Sequence, residues 1–175
     1  MKNSAESFVE LLAWSLSSAR AQTLALVVDI PDALWAKQTE ARVRDPEWVV
    51  GHLLLGDTYL LHLLAVEPLP PDFGDLLQAY GPAAAPESDP PHFERTRVTA
   101  RLERTGALRS EAVRSIGASG LAQATPDSAL ASTQPTLGHH LSALVLHEGY
   151  HAGQLSVWRK FFGLPPTPWV LAPRG

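Results

Sequence analysis

Apolar residues recur at intervals of three and four over four long stretches, and breaker-rich segments separate them. The first runs from Ser4 to Val28. Phe8, Leu11, Leu12, Ser15, Ala19, Gln22 and Leu26 fall near one stripe of it. Ile30-Pro31-Asp32 ends the pattern, and a link with one short helical turn is expected through Trp35 to Arg44. The second stretch opens at Asp45-Pro46. Aspartate caps the first free N–H groups, and proline at the first helical position sacrifices no hydrogen bond. Trp48, His52, Leu55, Tyr59 and Leu63 recur down it, and it ends near Val66, before Pro68. The third runs from Pro91 to Gly117. Its apolar positions are Phe93, Val98, Leu102 and Leu108, with Arg97, Arg101 and Arg104 as a basic stripe on another side. The fourth runs from Thr136 to Phe162, buried through Leu137, Leu141, Leu144, Val145, Leu155, Trp158 and Phe162. Gly163 suits the left-handed position after a helix, and Pro165-Pro166 forbid continuation.

The connection from Glu67 to Pro90 contains Pro68, Pro70, Pro71, Pro82, Pro86 and Pro90, so it reads as a long crossover loop. The link from Ala118 to Pro135 is small and polar. No useful run alternates with period two, so no sheet is expected. The pattern predicts an all-α fold: a four-helix bundle with a long crossover connection, as one domain spanning residues 1–175.

Composition narrows the function. Hydrophobic residues make up 45% of the 175 and charged residues 18%, which suits a globular chain. The net charge of −4 offers no basic surplus for a nucleic-acid backbone. No run of uncharged apolar residues is long enough to span a membrane. Glu6 and Glu10, and the lack of a cleavage pattern, argue against a signal peptide, so a cytoplasmic location is expected. The chain has no cysteine. Disulfides, thiolate ligands and a cysteine nucleophile are therefore excluded, and any thiol chemistry must use an external thiol.

The strongest local signal is His147-Glu148-Gly149-Tyr150-His151. Residues four apart on a helix differ by about 40° in direction and about 6 Å in height, so both imidazoles can reach one cation. The string also reads as H-E-x-x-H, with Glu148 as a weak candidate general base. A protease of that kind takes its third ligand downstream. No His, Asp or Glu follows His151, so that reading fails. The best upstream ligand is His52, one turn after Trp48 in the second helix. Three neutral histidines with open positions suit catalytic zinc, and also nickel or iron. Each has a plainer reading, as a satisfied core histidine or a chance pair.

Other polar residues read as structural. His140 is expected near the bundle's end and His139 in solvent, while His62 and His92 carry no signal. Gln154 is expected as a buried amide, with Gly153 permitting close helix packing and a hydrogen bond across the bundle or behind a ligand as the lesser reading for Gln154, and Tyr150 and Tyr59 as core aromatics. Asp57 lies about 140° from His52 around the helix, too far to support it. The arginine stripe fits a solvated face, with an anion site as the lesser reading.

The segment Leu146-His-Glu-Gly-Tyr-His-Ala-Gly-Gln-Leu155 resembles the fourth-helix signature of the DinB/YfiT-like superfamily. Trp48-Val-Val-Gly-His52, with the apolar run after it, is similar to its second-helix signature. The spacing, length and layout fit across the whole chain. The resemblance implies a four-helix bundle in which His52, His147 and His151 hold a divalent metal, commonly zinc or nickel. It also implies hydrolase activity or thiol-dependent S-transfer with mycothiol, bacillithiol or glutathione. A homodimer is expected from it, and from the apolar stretch Pro165 to Ala172 with Trp169. The expected partner is a small-molecule substrate, with no nucleic acid and no membrane. The alternative is a non-catalytic metal- or small-molecule-binding stress-response protein.

Overall fold

The computed structural model describes residues 4–82 and 93–173. They form six helices: α1 (Ser4–Val27), α2 (Pro46–Leu63), α3 (Phe73–Tyr80), α4 (Arg95–Leu121), α5 (Ser128–Ala131) and α6 (Leu137–Phe161). A single 3₁₀ turn, Asp32–Leu34, sits in the first link. There is no strand among these residues, only one isolated bridge between Ala124 and Thr136. No described helix is long and apolar enough to cross a membrane.

The helix ends follow the sequence chemistry. The Asp45 carboxylate accepts from the Trp48 N–H at 2.9 Å, and Pro46 opens α2. Gly163 takes φ 67° just after α6. The expected third helix does stop being helical at Gly117, where φ is 60°, but the chain resumes a last turn to Leu121. Its expected start at Pro91, and His92, lie outside the described residues. The crossover holds α3, which was expected as loop. Phe73, Leu76, Leu77 and Tyr80 follow the helical spacing there, and burial of Leu76 and Tyr80 against α2 stabilises it.

The buried side of α1 differs from the expected stripe. Phe8 and Leu11 are 50% and 57% exposed, whereas Val9, Leu12, Leu16, Arg20, Thr23 and Val27 point inward. A charged residue in the inward register masked that face.

The core has two apolar halves. One gathers Leu26, Val27, Val49, Val50, Leu53 to Leu55, Val98, Leu102, Leu155 and Trp158. The other gathers Val9, Leu12, Ala13, Leu16, Leu60, Val113, Leu121 and Leu141. The order in which each helix visits the halves fixes its direction: α1 and α6 run one way, α2 and α4 the other. Helix α4 packs between α1 and α2, and α6 lies beside α1 and closes the ring against α2. Because α2 and α4 are parallel, the link between them must travel the length of the bundle. This is the physical reason for the long crossover.

Between the halves lies a buried layer of charge, with one member from each long helix. The Arg20 guanidinium donates to Glu148 at 2.6 Å and to Asp57 at 2.8 Å. Arg109 donates to Asp57 at 2.7 Å and to Glu148 at 2.8 Å. Thr105 Oγ1 adds a bond to Asp57 at 3.0 Å, and the Leu16 and Leu102 carbonyls take further guanidinium protons. Two positive and two negative groups cancel, and each charge has at least two partners. That is what makes four ions tolerable inside a bundle.

Candidate metal centre

Helices α2 and α6 approach each other less intimately than the other neighbouring pairs, and imidazoles fill the gap. His52 projects from α2, and His147 and His151 from α6. His147 Nε2 lies 3.2 Å from His52 Nε2 and 3.1 Å from His151 Nε2. The three ligand atoms lie within 4.8 Å of one another. Adjacent nitrogens on a tetrahedral ion with Zn–N of about 2.0–2.1 Å sit roughly 3.3 Å apart, so the two spacings from His147 suit neighbouring ligands on one ion.

Two of the rings have their tautomer fixed from behind. His52 Nδ1–H donates to the Tyr80 carbonyl oxygen at 2.8 Å, which leaves Nε2 with a free lone pair. Tyr80 is placed for this by the missing side chain of Gly51: a Cβ there would lie 2.4 Å from the Tyr80 ring. Trp48 stacks on His52 with ring centroids 4.4 Å apart, and the Arg44 guanidinium lies over the indole, 4.2 Å from its ring centroid. His151 Nδ1–H donates to Gln154 Oε1 at 2.8 Å, while Gln154 Nε2 donates to the Tyr150 hydroxyl at 3.0 Å. Outer partners of this kind hold metal-binding histidines in orientation.

Gln154 is only partly buried and hydrogen-bonds His151, which corrects the buried amide expected from the sequence, and Gly153 meets no neighbour that would require a glycine. Tyr150 is largely exposed instead of packed in the core. The i, i+3 spacing from His151 to Gln154 was the signal available. Glu148 sits fully buried, with its oxygens held by Arg20 and Arg109. Asp57 is likewise engaged by those two arginines and makes no bond to His52. His140 is buried and hydrogen-bonds Gln134 from its Nδ1, and His139 is exposed. The arginine stripe is paired: Arg101 with Asp72 at 2.6 Å and Arg104 with Glu67. Arg97 lies 3.6 Å from Asp72.

Burial holds all three imidazoles below the ordinary histidine range, because desolvation disfavours the charged ring. His151 is pushed down to about 4, by burial first and then by the neighbouring His147. The unfolded chain takes up protons on these rings near pH 6.5 and the folded metal-free chain does not, so stability falls as pH drops from there toward 4. The melting temperature of metal-free protein is expected to decline over that window. Replacing His151 with Asn should flatten the decline, and an equally steep curve in His151→Asn would contradict the assignment.

A bundle that converges three histidine nitrogens from two helices defines a class of three-histidine helical proteins. The DinB superfamily model matches residues 15–155, and the chain belongs to that superfamily. No curated protein and no solved structure matches it.

Proposed function

We propose that the protein is a metal-dependent enzyme in which His52, His147 and His151 hold one divalent ion, zinc or nickel. The observation that carries this is that His147 Nε2 lies 3.1–3.2 Å from the Nε2 atoms of both His52 and His151, all three ligand atoms falling within 4.8 Å of one another, with the outer two tautomers set from behind. Bound there with open coordination positions, the ion would lower the pKa of a thiol or a water. The donor set, three neutral nitrogens, leaves the net charge on the ion, which favours an anionic partner such as a thiolate.

The chain's own residues favour thiol transfer over base-assisted hydrolysis. Hydrolysis assisted by a side-chain base needs a carboxylate or imidazole free to take a proton from water, and Glu148 is committed to two guanidiniums. A thiol whose pKa the ion lowers would release its proton to solvent and needs no such base. With no cysteine in the sequence, the thiol must be an external low-molecular-weight cosubstrate. His52 and His151 are braced by Tyr80 and Gln154, and the Trp48 ring packs against both. The bundle thus supplies a rigid, partly apolar wall for a small-molecule substrate. The protein is further proposed to act as a cytoplasmic homodimer.

The test is elemental analysis of freshly purified protein, followed by turnover of an electrophile with mycothiol, bacillithiol or glutathione. Stoichiometric zinc or nickel and metal-dependent consumption of thiol are expected. Metal without thiol or ester turnover would instead support a non-catalytic binding protein, and absence of any divalent ion would sink both readings.

Two further outcomes follow. Gln154→Ala should weaken divalent-ion affinity by about 10–100-fold, the usual effect of losing an outer partner, without altering helicity. A competition titration against a chromophoric chelator measures it, and unchanged affinity would remove Gln154 from the site. Protons compete with metal for each Nε2, and the depressed ring pKa values delay that competition. Metal loss is therefore expected below the mid-6 range of free histidine, extending toward pH 4 as His151 protonates. Release already complete at pH 6.5 would contradict the burial argument.

A further inference from the structure

Outside the histidine cluster, the most unusual surface is the outer face of α6. Leu146, Tyr150, Val157 and Phe161 stand exposed there, at 77%, 63%, 46% and 56%. With Gly153 they fall within about 80° of one another around the helix, so they form one stripe. It lies beside the histidine face and opposite the buried Glu148 and Leu155. No charged residue is exposed on α6 before Lys160. The C-terminal segment extends the patch. It is tied to α1 by Trp14 Nε1–H to the Ala172 carbonyl at 3.0 Å and by Val170 N–H to Gln22 at 2.7 Å. It presents Trp169, 79% exposed, and Leu171, 49% exposed. Trp169 and Leu171 share a groove of about 530 Å³ with Gly149 and Gly153, which joins them to the stripe. Six side chains of this size expose on the order of 700 Å² of apolar surface. A monomer rarely carries more than a few hundred in one patch, and each partner of a stable complex buries about 800.

The pattern also says what covers the patch. Leu146 and Phe161 are equidistant from the point midway between Gly153 and Gln154, and so are Tyr150 and Val157. The stripe is therefore its own complement when reversed. A two-fold axis at that midpoint sets Leu146 against the partner's Phe161, and Tyr150 against the partner's Val157. A glycine inside a helix weakens it relative to alanine. Nothing within the monomer needs Gly153, because a Cβ there would meet no atom within 4 Å. A second helix approaching across the axis does need it, since interhelical distances of about 8 Å require small residues at the crossing.

We propose that α6 pairs antiparallel with α6 of a second copy about a two-fold axis at Gly153, with Trp169 and Leu171 flanking the contact. The proposal rests on the homodimer proposed above and not on the metal. It places the interface directly beside the candidate centre, because Tyr150 would be covered by the partner and is bonded to Gln154, which holds His151.

The chain has no cysteine, so a single introduced one reports only on contacts between copies. Under mild oxidation the Gly153→Cys protein should form a disulfide-linked dimer, since facing positions at the axis lie within disulfide reach. The Ser142→Cys protein, exposed one turn before Leu146, should not, because its counterpart lies at the far end of an antiparallel pair. Gly153→Glu fits the monomer but places two like charges at the axis. It should weaken association by about 100-fold or more in light scattering, with helicity retained. Wild-type protein that stays monomeric at high concentration would overturn both the dimer and this face. A dimer that Gly153→Cys fails to cross-link, or that Gly153→Glu leaves intact, would overturn this face alone. Efficient cross-linking through Ser142→Cys would overturn the antiparallel pairing.

Discussion

Glu148→Ala is expected to cost about 3–5 kcal/mol of folding stability, as removal of one partner from a buried ionic network does. The carboxylate is fully buried and both guanidiniums rest on it, so its loss leaves Arg20 and Arg109 with one shared counter-ion, Asp57. For a domain of this size that corresponds to a fall in melting temperature on the order of 10 °C. Thermal unfolding followed by circular dichroism measures it, and a change within about 2 °C would contradict the network's weight. Replacing all four charges together, as Arg20→Met, Asp57→Leu, Arg109→Met and Glu148→Leu, should cost far less, because no unpaired ion remains. The same network makes Glu148→Gln a poor probe of general-base chemistry. Any loss of rate in that variant would mix with displacement of the adjacent His147.

His147→Ala is expected to reduce divalent-ion affinity by more than about 100-fold, above what loss of an outer partner costs. His147 bridges the other two rings, at 3.2 Å from His52 and 3.1 Å from His151, so its removal leaves two nitrogens that no longer enclose one point. The fold should persist, since this partly buried side chain is outside both apolar clusters. Titration with zinc against a chelator, alongside far-ultraviolet circular dichroism, separates the two effects. Retained affinity would remove His147 from the site, and lost helicity would make the result a folding defect.

The four long helices could be read from the sequence to within a few residues because breakers sit at their ends: Ile30-Pro31, Asp45-Pro46, Gly117 and Gly163-Leu-Pro-Pro. The histidine cluster was legible because a four-residue spacing is itself a geometric statement, and because His52 follows Trp48 by one turn. The charge layer was not read. Arg20, Asp57, Arg109 and Glu148 each occupy a core register in an otherwise apolar or small stripe, but a single helix gives no sign of the partner that neutralises the charge. Only the four together, two of each sign at matching heights, carry the signal. The same omission shifted the expected face of α1 by about one residue. Helix α3 was hidden by the prolines around it, although Phe73, Leu76, Leu77 and Tyr80 have helical spacing. Packing is the first reading of Gln154 and a bond behind a histidine only the second, because a hydrogen bond to the far nitrogen of His151 leaves no mark in hydrophobic periodicity.

X-ray absorption at the metal edge of zinc-loaded protein tests the central claim most directly. Three imidazole nitrogens at about 2.0–2.1 Å are predicted, with a sulfur near 2.3 Å added when a low-molecular-weight thiol is present. Fewer than three imidazoles, or a sphere closed to added thiol, would contradict it.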